Sequence, residues 1–89
     1  MNNPFSLEGK TILVTGASSG IGRATAIACS QMGAVVVVTG RNEPRLQETL
    51  DALEGSGHQM IVADIANDDQ IDYLVDQIPA INGLVNNAG

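Results

Sequence analysis

Residues 15–22 read Thr-Gly-Ala-Ser-Ser-Gly-Ile-Gly, and these residue types at this spacing suit the binding of an anion. Ahead of them lies Thr11-Ile12-Leu13-Val14, a short β-branched run that reads as a buried strand. Behind them, Ile21 to Met32 has no proline and carries Ile21, Ala24, Ile27 and Ala28 at helical spacing. A strand, a glycine-rich turn and a helix N-terminus in that order present the helix's first backbone N–H groups, where the dipole favours negative charge. Gly16 permits a sharp exit from the strand, and Gly20 lets a diphosphate approach the backbone without meeting a Cβ. Gly22 lets the helix lie close on the sheet. Ser18 and Ser19 add hydroxyls that can donate to phosphate oxygens. The pattern Gly-x3-Gly-x-Gly is neither the Gly-x-Gly-x2-Gly dinucleotide fingerprint nor a P-loop, because Lys and Ser or Thr do not follow Gly22. Taken alone, it fits a plain strand-to-helix link as well as a ligand site.

The elements that must position this turn follow in order. Val35 to Thr39, with four successive valines, suits a strand buried on both faces of a parallel sheet. Gly40-Arg41-Asn42 forms a loop in which Asn42 caps a helix over Glu43–Glu54, with Pro44 in its first turn and Leu46, Leu50 and Leu53 as its apolar stripe. Gly55-Ser56-Gly57 ends that helix. A third strand covers Gln59–Ala63, followed by Asp64-Ile65-Ala66. A third helix starts at Asn67, with Gln70 completing a capping-box-like pair, and Pro79 stops it. Asp68, Asp69, Asp72 and Asp76 lie near its start or away from the Ile71, Leu74, Val75 and Ile78 stripe, so they read as solvated surface and not as a metal site. Gly83 to Asn87 is a fourth strand that runs into Ala88-Gly89. Residues 1–10 read as a loose lead-in.

Four strands alternating with three helices require crossover connections, which are right-handed and leave the strands parallel. The fold class is therefore α/β, the first half of a Rossmann-like doubly wound sheet in the order 3-2-1-4 with helices on both faces. Its ligand crevice lies at the carboxyl ends of strands 1 and 4. The glycine turn, Gly40-Arg41, Asp64-Ile65 and Asn86–Gly89 converge on that edge.

Composition narrows the function. The chain has 89 residues and a net charge of −6, from ten acids against four bases, which argues against nucleic acid or an anionic membrane as partner. Phe5 and Tyr73 are its only aromatic residues, so Val, Ile, Leu and Ala must build the core. Cys29 is the single cysteine, which excludes an internal disulfide and suits a reducing compartment. Met1–Lys10 has no signal-peptide character, and the apolar run Ala34–Val38 is too short to span a bilayer. The expected location is the cytoplasm.

Thr15–Gly22, Asp64 after the third strand and Asn86-Asn87-Ala88-Gly89 after the fourth together resemble the short-chain dehydrogenase/reductase family, from Lys10 to the end of the chain. The likeness is to the N-terminal part of a single NAD(P)-binding domain, residues 1–89, similar to that of 3-oxoacyl-carrier-protein reductases. The resemblance implies that Gly16, Ser18, Ser19, Gly20, Ile21 and Gly22 hold the cofactor's diphosphate. It implies that Asp64 bonds the adenine amine, that Ile65 contacts the ring, and that Asn87, Ala88 and Gly89 border the ribose. Where an acidic residue after the second strand would accept bonds from the ribose hydroxyls and repel a 2′-phosphate, this chain has Gly40, and Arg41 follows. A guanidinium suits bidentate contact with a phosphate, so NADP is favoured over NAD. A second NADP-favouring base, inside the glycine turn, is missing because position 19 is Ser.

Family members place a catalytic Ser and a Tyr-x-x-x-Lys further along. Here Tyr73 is followed four residues later by Gln77, and the only lysine is Lys10. No catalytic residue is assigned, and nothing in the chain can protonate a carbonyl beside a nicotinamide. His58, at a strand entrance, reads as structural or exposed. Two functions stand against each other: part of an NADP-dependent carbonyl or alcohol oxidoreductase, homo-oligomeric as a whole, or a stand-alone nucleotide-binding or interaction module without catalysis. The first is favoured because so small a core without partner strands is marginal alone.

Overall fold

The computed structural model describes residues 6–18, 20–63, 72, 76 and 81–87. The β-branched runs become strands: β1 (Thr11–Thr15), β2 (Val35–Gly40), β3 (Gln59–Val62) and β4 (Gly83–Asn86). They form one sheet in the order β3-β2-β1-β4, every pair parallel. The residues of β1 and β2 are almost wholly buried, as the central strands of a sheet covered on both sides must be. Between them run α1 (Gly20–Gln31) and α2 (Glu43–Ala52).

Both helices lie on one face. Ala26 of α1 and Leu46 of α2 join Ile12, Val14, Val36 and Val38 in a single core cluster. The opposite face carries Leu13 and Val37, with Ile61 and Ile81 packed on them. The expected third helix falls on residues outside those described, apart from Asp72 and Asp76, which are helical and exposed.

Three local features differ from the sequence reading. The buried side of α1 is Gly22, Ala26 and Ser30, whereas Ile21, Ala24 and Ala28 are exposed. The buried line is a glycine followed at four-residue intervals by small residues: Gly22 lies against the glycine loop, Ala26 packs on the strands and Ser30 accepts the Glu54 N–H, while the larger Ile21 turns outward. α2 ends at Ala52, because Leu53 turns extended (φ −73°, ψ 145°) before the glycines are reached. Residues 6–10 are not loose. Leu7 packs on the core, its N–H donates to the Met32 carbonyl at 2.7 Å, and Lys10 closes a turn back to Leu7.

At the N-terminal edge of the sheet, side chains extend the ladder. His58 Nδ1 accepts the Val36 N–H at 3.0 Å, and its Nε2 faces the Glu54 carbonyl. A nitrogen that accepts from a backbone N–H carries no proton, so Nε2 holds the ring hydrogen and donates. Asn82 brackets Thr11 in the same manner, its Oδ1 accepting the Thr11 N–H and its own N–H donating to the Thr11 carbonyl, both at 2.8 Å.

Candidate functional site

The glycine turn leaves β1 through Gly16 at φ 61° and enters α1 through Gly20 at φ 60°. Both values lie in the left-handed region that side chains disfavour, so glycine is required by the path of the chain. A Cβ on Gly20 would meet nothing within 4 Å, so the backbone there faces open space. Gly22 is the opposite case. A Cβ on it would overlap the Gly16 carbonyl oxygen and stand 2.7 Å from the carbonyl carbon. The glycine permits close contact between the first turn of α1 and the glycine loop itself, where the sequence pointed to closeness to the sheet.

The turn is tied down from several sides. The Ala17 N–H donates to the Thr39 carbonyl at 3.1 Å, fixing the turn to the end of β2. Thr49, fully buried on α2, donates its hydroxyl to the Ala17 carbonyl at 2.7 Å. Arg23 on α1 donates to the Ser18 carbonyl at 2.8 Å and to Thr49 Oγ1 at 2.9 Å. Its remaining contacts are the Arg45 carbonyl and a 3.3 Å ion pair with Glu48.

The sequence-derived residues meet at the carboxyl edge. Ser18 is half-buried, and its Oγ would lie 3.5 Å from a Cβ on Gly40, so turn and β2 end are neighbours. Arg41 is exposed next to them. Ile21 is 76% exposed at the start of α1. At the end of β4, Asn87 donates its N–H to Thr15 Oγ1 at 3.1 Å, and its side-chain Nδ2 is buried without a partner among the described residues. Ser19, Asp64, Ile65, Ala88 and Gly89 lie outside the described residues. No helix of the described residues is long and apolar enough to cross a membrane, and no group of three His, Cys, Asp or Glu among them is placed to hold a metal.

Open backbone at Gly20, a helix N-terminus behind it and an orphaned amide nitrogen on Asn87 fit a polar, anionic ligand laid along this edge. Arg23, Thr15 and Thr49 were not singled out by sequence. Arg23 did carry a signal, because a cation in the first turn of a helix opposes the dipole unless something else holds it.

The family model for short chain dehydrogenases matches residues 10–89. A glucose 1-dehydrogenase of Gluconobacter oxydans is 43% identical over 88 residues, covering 91% of this chain and 33% of that protein. A 3-oxoacyl-acyl-carrier-protein reductase of Rickettsia prowazekii is 39% identical over 85 residues, covering 96% and 35%. The crystal structure of 2-keto-3-deoxy-D-gluconate dehydrogenase from Streptococcus agalactiae superposes with a TM-score of 0.83 at 38% identity, covering 96% of this chain and 34% of that one. The chain therefore spans about a third of the length of the relatives it matches.

Proposed function

The chain belongs to the short chain dehydrogenase family, and from that premise we propose that it forms the dinucleotide-binding part, residues 1–89, of an NADP-dependent oxidoreductase. The whole protein transfers hydride between the nicotinamide and a carbonyl or alcohol carbon, in keeping with relatives that are a sugar dehydrogenase and a 3-oxoacyl reductase. It is a cytoplasmic homo-oligomer.

One observation carries the reading. The left-handed Gly20 opens α1 onto free space, with the Ala17 carbonyl held by Thr49 of α2 and the Ser18 carbonyl by Arg23 of α1. Backbone N–H groups at a helix N-terminus, with no Cβ in the way, suit a diphosphate. Gly16, Ser18, Ser19, Gly20, Ile21 and Gly22 hold that group. Asp64 and Ile65 take the adenine, and Asn87, Ala88 and Gly89 border the ribose. The bound cofactor would supply the hydride as NADPH when a carbonyl is reduced and would accept it as NADP when an alcohol is oxidised. The proton is the task of a Ser and a Tyr-x-x-x-Lys that these 89 residues do not include.

The choice of NADP rests on Gly40 and Arg41. No carboxylate stands at the end of β2 to repel a 2′-phosphate, and an exposed guanidinium follows. Arg41→Asp in the full-length protein tests this by direct binding of NADPH and NADH. The expected result is a shift of the affinity ratio toward NADH by about tenfold or more, since a charge-assisted contact is lost and a repulsion gained. An unchanged ratio would remove Arg41 from the role.

A further inference from the structure

Two carbonyls in succession, Ala17 and Ser18, are held by side chains from two different helices. Thr49 Oγ1 is 2.7 Å from the Ala17 oxygen and 3.3 Å from the Arg45 oxygen, so its single hydrogen goes to Ala17. The hydroxyl is then free to accept, and Arg23 Nε–H donates to it at 2.9 Å. The same guanidinium reaches the Ser18 oxygen at 2.8 Å. Arg23, Thr49 and the two carbonyls thus form one connected network, with its buried centre at Thr49. The Arg23–Glu48 ion pair is partly exposed on both sides and adds little by itself.

The network has a directional consequence. In a planar trans peptide the C=O and the following N–H point opposite ways. With the Ala17 carbonyl directed at Thr49, the Ser18 N–H is directed away from α2. The Ala17 N–H is already committed to the Thr39 carbonyl. The Ala17 and Ser18 carbonyls are therefore oriented by side chains that need not touch a ligand. Peptides free to flip would instead present carbonyl oxygens, which repel an anion, on the side that must receive one.

We propose that Arg23 and Thr49 are positioning residues: they hold the Ala17 and Ser18 carbonyls back so that these two oxygens do not face a diphosphate bound at the glycine turn. The inference rests on the dinucleotide reading above and assigns the orientation of its phosphate-binding backbone to α2 and to the arginine of α1.

The test compares ligands with and without a diphosphate, by calorimetric titration of the full-length protein with ADP and with adenosine. Thr49→Val keeps the shape and removes the hydroxyl, Arg23→Met keeps most of the stem and removes the donors, and Thr49→Ser restores the hydroxyl. Thr49→Val and Arg23→Met should each weaken ADP by about tenfold, the size of one charge-assisted contact, while adenosine binds as before. Thr49→Ser should bind ADP like the wild type. Wild-type ADP affinity in both Thr49→Val and Arg23→Met would overturn the positioning role and leave the site reading intact. Equal weakening of ADP and adenosine, with a lowered melting temperature, would reduce the network to general stability and overturn it as well. A wild-type protein that binds neither ADP nor NADPH would instead overturn the dinucleotide reading, and this inference with it.

Discussion

The Thr15 hydroxyl donates to Asn86 Oδ1 at 2.9 Å and joins the carboxyl ends of β1 and β4 across the two strands that border the crevice. The same oxygen accepts the Asn87 N–H at 3.1 Å, so one buried hydroxyl orders two successive residues of the Asn86–Asn87 segment. Backbone pairing of β1 with β4 reaches Thr15 opposite Asn86 and stops there. Beyond that point the Thr15 side chain carries the connection, which links the glycine turn to the segment proposed to border the ribose.

Replacing Thr15 by Val keeps the volume and deletes the hydroxyl. The Asn87 N–H then loses its acceptor in a partly buried place. The expected cost is about 1–3 kcal/mol, the range for an unsatisfied buried polar group. Urea denaturation of the full-length protein should show it as a lower midpoint with an unchanged slope. Thr15→Ser, which keeps the hydroxyl, should lose clearly less. Equal midpoints for wild type and Thr15→Val would mean that water or a rotated Asn86 replaces the bond.

The parallel direction of the strands was legible because it follows from topology, and the order from the Rossmann-like arrangement. Apolar runs separated by helical segments admit parallel strands and right-handed crossovers, and the observed β3-β2-β1-β4 order is the Rossmann-like one among the orders that satisfy them. The Asn42 cap was also legible, and its Oδ1 does accept the Arg45 N–H at 3.1 Å. What escaped was set by distance between elements. The exposure of Ile21 depends on how closely α1 approaches the sheet, and a period of 3.6 residues does not encode that. His58 and Asn82 look like loop residues in the sequence, yet each completes a backbone ladder from a neighbouring strand. Arg23 and Thr49 are 26 residues apart, and only the packing of α1 on α2 brings them to 2.9 Å.

Cys29 offers a pH-dependent check on the packing of α1. Its side chain sits against the core cluster, and burial pushes its thiol pKa up. The thiolate is the reactive form, so the native protein holds less of it at any given pH than the unfolded chain does. Alkylation by iodoacetamide at about pH 8 should be several-fold slower in the native protein than in urea, and the native rate should go on rising to higher pH. The sign for stability follows. Folding favours the protonated thiol, so the contribution of this group fades as pH rises through the ordinary thiol range. Coincident native and unfolded rate profiles would contradict the burial of Cys29.

The last expectation concerns residues 1–89 taken alone. In register, Leu84 of β4 lies opposite Leu13, and Leu13 opposite Val37, so all three share the face that α1 and α2 do not cover. Leu13 and Val37 are buried, but Leu84 is 62% exposed. β4 pairs with β1 on one side and stands at the edge of the sheet. Its residues Gly83-Leu84-Val85-Asn86 carry no charge and no proline, the usual protections of a strand edge. An uncharged edge beside an exposed leucine recruits other chains. The isolated 89-residue polypeptide should therefore self-associate or remain partly unfolded, become monodisperse only within the longer protein, and show no hydride transfer with any carbonyl substrate. Analytical sedimentation combined with amide hydrogen exchange reads both structural outcomes. Concentration-dependent species, or rapid exchange across 83–87, are expected. A monodisperse monomer with well-protected amides in that strand would show that the edge needs no partner, and would favour a nucleotide-binding module that stands by itself.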